Sequence, residues 1–236
     1  MSRFDTTRWS IVLGTHGTGE DARAALESLC RTYRPPVLAY ISSRGYSSDV
    51  AEDLTQSFFA RFLERGDYAE ADPSRGRFRA YLLTAIKRFL INSAADANTV
   101  KRGRRIQFES IDQKSADGDG LPAEGSNPEQ VFEQAWALVV LDAALRRLRK
   151  EAQLAGKGEL FDHLRDFVAE QPDEADYARV AAALKLRRNT VAVSVHRLRQ
   201  RLRELVREEV AQTAGDRDAF ETELRELRGA LGSAMH

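Results

Sequence analysis

Two groups of side chains in this chain have the types and spacing to do chemistry, and in both it is charge recognition. Asp49, Glu52, Asp53 and Gln56 recur at three and four residues. On a helix they share one stripe, offering oxygens that accept charge-assisted hydrogen bonds from a partner's arginines. A solvated face, with acids favoured in the first helical turn, explains the same stripe without a partner. The second group is basic: Lys185, Arg187 and Arg188 precede Arg197, Arg199, Arg201 and Arg203. Such cations can neutralise phosphates, each adding about one unit of salt dependence.

Bond-making chemistry finds no comparable support. There is no Gly-rich phosphate loop, metal-ligand spacing or convincing carboxylate pair. Cys30 lies beside Arg31 in an apolar helical stretch with no histidine near in sequence, and reads as a structural thiol. One cysteine makes no internal disulfide, and four scattered histidines make no zinc site. The expectation is therefore a non-enzyme without cofactor or metal, in the reducing cytoplasm. No apolar run approaches the roughly 20 residues that cross a bilayer, and Met1 to Gly14 does not read as a signal peptide.

The elements that must position these groups read as helices throughout, because apolar residues recur at three and four. The exception, about Ile111 to Pro128, is rich in Gly, Asp, Ser and Pro and reads as a flexible linker. It ends at a helix start, with Asn127 to cap, Pro128 at the first position and Gln130 to complete a capping box. The expected fold is all-α, with two small helical domains, residues 24–105 and 129–210. Residues 106–128 form the linker, and residues 1–23 and 211–236 the extensions.

In the first domain a helix from Ala24 to Ser42 is expected to be interrupted near Pro35-Pro36. A second runs from Asp49 to Glu64, capped by Ser48 or Asp49, with Val50, Leu54, Phe58 and Phe62 on its apolar stripe. A third, Phe78 to about Ala95, buries Phe78, Leu82, Ile86, Phe89 and Leu90. In the second domain Tyr177 to Leu184 reads as a short helix with small residues at its centre. Leu186 acts as an apolar plug in the turn, and Asn189 to Arg203 forms a second helix.

That is a helix-turn-helix pattern, sealed by Leu186, Val191, Val195 and Leu198. Asn189, Val193, His196, Arg197 and Gln200 project towards a major groove. The plain alternative is a helical hairpin whose arginines only solvate a surface. Formal net charge is zero, 36 cations against 36 anions. That suits a protein meeting DNA within a larger complex, with basic patches for DNA and acidic ones for a protein.

The chain resembles bacterial RNA polymerase sigma factors of the extracytoplasmic-function (ECF) group. The resemblance rests on Ser48 to Arg61, Phe78 to Asn92, and Tyr177 to Arg203 with Asn189-Thr190-Val191 and Val195 to Arg199. It implies that Asp49, Glu52, Asp53 and Gln56 face core RNA polymerase, at the clamp of the largest subunit, with the flap of the second subunit a further contact. It assigns Lys87, Arg88, Phe89 and Asn92 to the minus-ten element of promoter DNA, with Lys101, Arg102, Arg104 and Arg105 on the nearby backbone. Arg187, Arg188, Asn189, Thr190, Val193, His196, Arg197 and Gln200 fall to the minus-thirty-five element.

The pattern departs from relatives at Arg88, where many have asparagine, and at Ala192 and Val193, where polar or basic residues are common. Rival readings are a stand-alone helix-turn-helix regulator, an enzyme, and a sigma-like adaptor that binds polymerase without opening DNA.

Two extensions flank this core. Phe4 to Leu13 can form a helix with Trp9 and Val12 packing onto the first domain. In the tail, Phe220, Leu224, Leu227 and Leu231 share a stripe that needs a surface: the second domain, the first, or another protein. The tail as an intramolecular brake, an anti-sigma factor, and a kinase acting on Thr55 or Ser57 are the candidate controls.

Overall fold

The computed structural model describes residues 20–67, 78–103, 127–170, 172–211, 214 and 217–234. Every regular element among them is helical. The helices are α1 (Glu20–Ser43), α2 (Ser48–Glu64), α3 (Phe78–Gly103), α4 (Pro128–Leu154), α5 (Gly158–Leu164), α6 (Asp166–Ala169), α7 (Glu174–Ala183), α8 (Arg188–Ala211) and α9 (Arg217–Ala234). They form two compact units, one of Met1–Ala137 with Thr213–His236 and one of Leu138–Gln212. Residues 129–137 and 213–236, which the sequence organisation places with the second domain and the tail, thus count with the first unit. The leading segment 4–13 and nearly all of the linker lie outside the described residues.

In the first unit, α1 runs through Pro35 and Pro36 without the expected interruption. Two missing amide donors cost about 3 kcal/mol each. Against this, Leu29, Tyr33, Val37, Tyr40 and Ile41 are buried on one face spanning both sides of the prolines. At about 1.5–3 kcal/mol for each large side chain, that burial outweighs the lost donors.

Helix α2 buries Ala51, Thr55, Phe58, Phe59 and Phe62. The expected stripe is therefore corrected at its start, since Val50 is 45% exposed and Ala51 faces inward. The N-cap is Ser47, one residue before the expected positions, and its side chain makes no capping bond. The Thr55 hydroxyl is buried and donates to the Ala51 carbonyl (2.7 Å), which leaves a kinase no access to it in this fold.

Helix α3 extends to Gly103, beyond the expected Ala95, and buries Phe78, Leu82, Ile86 and Leu90. Aromatic rings join these helices: Tyr33 and Phe78 at 5.3 Å, Phe58 and Phe89 at 5.6 Å, Phe62 and Phe78 at 6.5 Å.

Helix α4 starts where the sequence places it, the Asn127 side chain accepting from the Glu129 amide at 3.1 Å. Its Phe132 packs edge-on against Tyr40 of α1, and its Trp136 is buried in the same unit. Helix α9 also packs into this unit, burying Phe220, Leu224, Leu227 and Ala230. The surface the tail requires is thus on the first unit.

The second unit has two adjoining clusters. Leu164, Phe167, Val180, Ala181, Val191 and Val195 form one, with Leu160, Tyr177, Leu184 and Leu198 against it. Ala144, Leu148, Phe161 and Leu205 form the other, with Leu198 and Leu202 against it. Leu184, not Leu186, plugs the helix-turn-helix joint; Leu186 is 38% exposed.

Candidate nucleic-acid interface

The turn between α7 and α8 explains how the reading helix is aimed. Helix α7 opens with a reciprocal capping box between Asp173 and Asp176. At its end the Leu186 amide donates to the Ala181 carbonyl (2.9 Å) and the Lys185 amide to the Ala182 carbonyl (3.3 Å). This pair of bonds is a Schellman motif, which requires a left-handed residue at Lys185, where φ is 54°. The chain reverses there, and the Arg187 carbonyl accepts from the Thr190 and Val191 amides to begin α8.

On α8, Val191 and Val195 are buried, and Leu198 and Leu202 are half-buried. Asn189, Thr190, Val193, His196, Arg197 and Gln200 are exposed, as are Lys185, Arg187 and Arg188 of the turn and helix start. The structure thus brings all eight residues expected on this face to the surface of one helix and its entry. Arg188 pairs with Glu174 of α7. Arg199 turns inward instead, donating through Nε to the Phe167 carbonyl at 3.0 Å, and braces α6. Arg201 makes a bidentate pair with Glu151 of α4, both bonds 2.8 Å, and a third contact to Glu204.

The basic run at Arg146 to Lys150 is largely engaged within the unit. Arg147 pairs with Glu208 and Glu209, Arg146 with Asp142, and Arg149 with Asp162.

In the first unit, Asp49, Asp53 and Gln56 are exposed along α2. Glu52 is half-exposed and pairs with Arg34 of α1. Exposed Val50 lies beside Asp49 and Asp53, an apolar contact that the sequence pattern assigned to the core.

On α3, Arg88 and Asn92 are exposed, while the Phe89 ring is half-buried against Phe58. Lys87 pairs with Glu129 of α4 at 2.5 Å. The Glu129 hydrogen bond raises the Lys87 ammonium above its ordinary range, and the same bond holds the Glu129 carboxyl below the usual one. Lys101 and Arg102 fall within α3, and Arg104 and Arg105 lie outside the described residues. Ile91, 69% exposed between Arg88 and Asn92 on this outward stripe, has no signal in an apolar-periodicity count.

The most enclosed cation among the described residues lies in neither of the two charged groups above. Arg79 is 2% exposed, and its guanidinium meets Glu133 of α4 and Glu223 and Glu226 of α9. The Glu223 contact is 2.9 Å, with Glu223 itself 1% exposed. Its spacing of three, seven and eleven residues from buried Leu82, Ile86 and Leu90 puts it on the inward stripe of α3, the signal that could have flagged it.

Among the described residues no cluster of three or more His, Cys, Asp or Glu could hold a metal ion. No described helix is long and apolar enough to cross a membrane.

The described residues thus combine a charged surface on α2, an outward polar stripe on α3 and a helix-turn-helix in a second unit, all of them helical. Residues 29–99 match the family model for sigma-70 region 2. The chain is 32% identical over 184 residues to the ECF RNA polymerase sigma factor SigE of Mycolicibacterium smegmatis, a match covering 78% of this chain. The matched part spans 60% of that relative's length. No solved structure matches.

Proposed function

We propose that this chain is a transcription initiation factor that binds core RNA polymerase through α2 and directs it to promoters. The observation that carries this reading is the outward placement of two opposite charges on separate units. Asp49, Asp53 and Gln56 are exposed on the first, and Arg187, His196, Arg197 and Gln200 on the second. The acids meet arginines of the polymerase clamp, where charge pairs mainly set encounter rate and register. The arginines of the turn and of α8 anchor the phosphate backbone at the minus-thirty-five element, while His196, Arg197 and Gln200 reach base edges.

At the minus-ten element, Arg88 and Asn92 of α3 contact the strand as it opens. Unstacking costs a few kcal/mol per step, which stacking and pocket contacts offset. Phe89, half-buried against Phe58, shapes that surface from behind.

Reconstitution with core polymerase and genomic DNA, followed by mapping of transcript starts, tests the reading. Discrete starts that require this chain are expected. Tight binding to duplex DNA without polymerase, and no starts with it, would favour a stand-alone regulator.

A further inference from the structure

The pairing of Lys87 with Glu129 places a carboxylate on a cation of the surface that the proposed function gives to promoter DNA. Its geometry is prepared rather than incidental. Glu129 sits in the first turn of α4, where its amide donates to Asn127 and its carboxylate is favoured by the helix N-terminus. Four residues on, Glu133 of the same helix is held by Arg79. Arg79 also grips Glu223 and Glu226 of α9 and lies over Trp136 of α4. One α3 guanidinium thus ties the start of α4 and the C-terminal helix to the same helix that carries Lys87.

We infer that Glu129 is an intramolecular gate on Lys87, occupying the place of a DNA phosphate, and that the Arg79 cluster holds the gate in register. The inference rests on the proposed assignment of α3 to DNA.

The two ends of the device differ in strength. Arg79 and Glu223 are both removed from water, so the cluster separates only at high cost. The Lys87–Glu129 pair has side chains 42% and 40% exposed. A pair that open is worth on the order of a few-fold in an equilibrium, so a strand of phosphates displaces Glu129 without undoing the cluster. Tyr40 and Arg44 are the other titratable groups acting on Lys87, and Arg44 adds a second cation beside the gated one. The result is a threshold: weak, non-specific strands compete with Glu129, and a strand held by further promoter contacts wins.

The experiment measures binding of the full chain, alone and with core polymerase, to a fluorescein-labelled pool of random single-stranded oligonucleotides across a salt series. Glu129→Gln should tighten binding a few-fold. It should also steepen the dependence on log salt by about 0.7, the value for one added phosphate contact on single strands. Lys87→Ala should weaken binding and abolish the effect of Glu129→Gln in the double variant. Glu226→Gln, which loosens the cluster at its more exposed end, should shift affinity the same way as Glu129→Gln and by less.

If Lys87→Ala weakens binding while Glu129→Gln matches the wild type, the gate is wrong and the α3 assignment survives. If Lys87→Ala changes nothing, or the wild type binds no strand in either state, the α3 assignment fails and takes the gate with it. If Glu129→Gln acts and Glu226→Gln does not, the cluster has no part in the gate.

Discussion

The guanidinium carbon of Arg79 lies 3.9 Å from the ring centroid of Trp136, so a cation from α3 rests on an indole from α4. Both side chains are nearly sealed from water, at 2% and 1% exposure. Stacking on the indole face is favourable for a weakly hydrated guanidinium. With Glu223 sealed beside it, this contact joins three helices of the first unit.

Removing the cation should therefore be worse than removing the pair. Arg79→Leu leaves Glu223 buried without its counter-charge and should cost about 3–5 kcal/mol. Arg79→Leu combined with Glu223→Leu should recover much of that loss. Urea unfolding followed by tryptophan fluorescence reads both; equal losses in the two variants would show that the ion pair is not what matters.

The acidic stripe should behave oppositely. Asp49→Ala and Asp53→Ala lie on exposed positions, so thermal stability should change by less than about 0.5 kcal/mol. Association with core polymerase should slow, with a weaker dependence on salt. Stopped-flow binding distinguishes this from an inert solvated face, which would leave the association rate unchanged.

Lys185 offers a separation of stability from DNA binding. Its φ of 54° is costly for a side chain and free for glycine. Lys185→Gly should leave the second unit as stable or raise it by up to about 1 kcal/mol. Losing the cation should lower the salt slope on duplex promoter DNA by about one unit. A destabilised variant would show that the lysine side chain, not the backbone, holds the turn.

Acid should act on the second unit through Glu151. Its hydrogen bond from Arg201 holds the carboxyl below the ordinary value of 4.5. A lowered folded value means the pair stabilises fully above 4.5 and loses its contribution as pH falls through the folded value. Thermal unfolding of Glu151→Gln should therefore differ from wild type at neutral pH and converge with it in acid. A constant difference across the series would remove Arg201–Glu151 from the acid response.

Cys30 should be a slow thiol. Burial pushes it from 9.0 up to about 11. At about pH 8 the thiolate is then about a hundredfold scarcer than for the ordinary value. Iodoacetamide should modify the folded chain far more slowly than the urea-unfolded one, and equal rates would place the thiol in solvent.

Much of this protein is visible in its residue spacing. The helical periodicity around Phe58, Leu82 and Val195 needs only local geometry, since residues three and four apart share a face. The Asn127-Pro128 start is equally local, because a cap satisfies amides within the first turn. The glycine at 156, in a left-handed conformation where α4 ends, is a signal of the same kind.

Other features depend on what lies across the fold. Lys185 takes the same left-handed cap with no glycine to announce it, and Leu184 replaces Leu186 in the joint because α7 ends one residue before it. Pro35 and Pro36 stay helical because the packing of five large side chains outweighs two missing donors.

Residue order by itself determined the helices, their apolar faces and the two clusters of opposite charge, all properties of neighbours along the chain. Only the tertiary structure decided that α9 covers the first unit, that Arg79 is enclosed by Glu133, Glu223 and Glu226, and that Glu129 meets Lys87. Those contacts join residues 42 to 147 positions apart, and no local periodicity encodes which charge will find which.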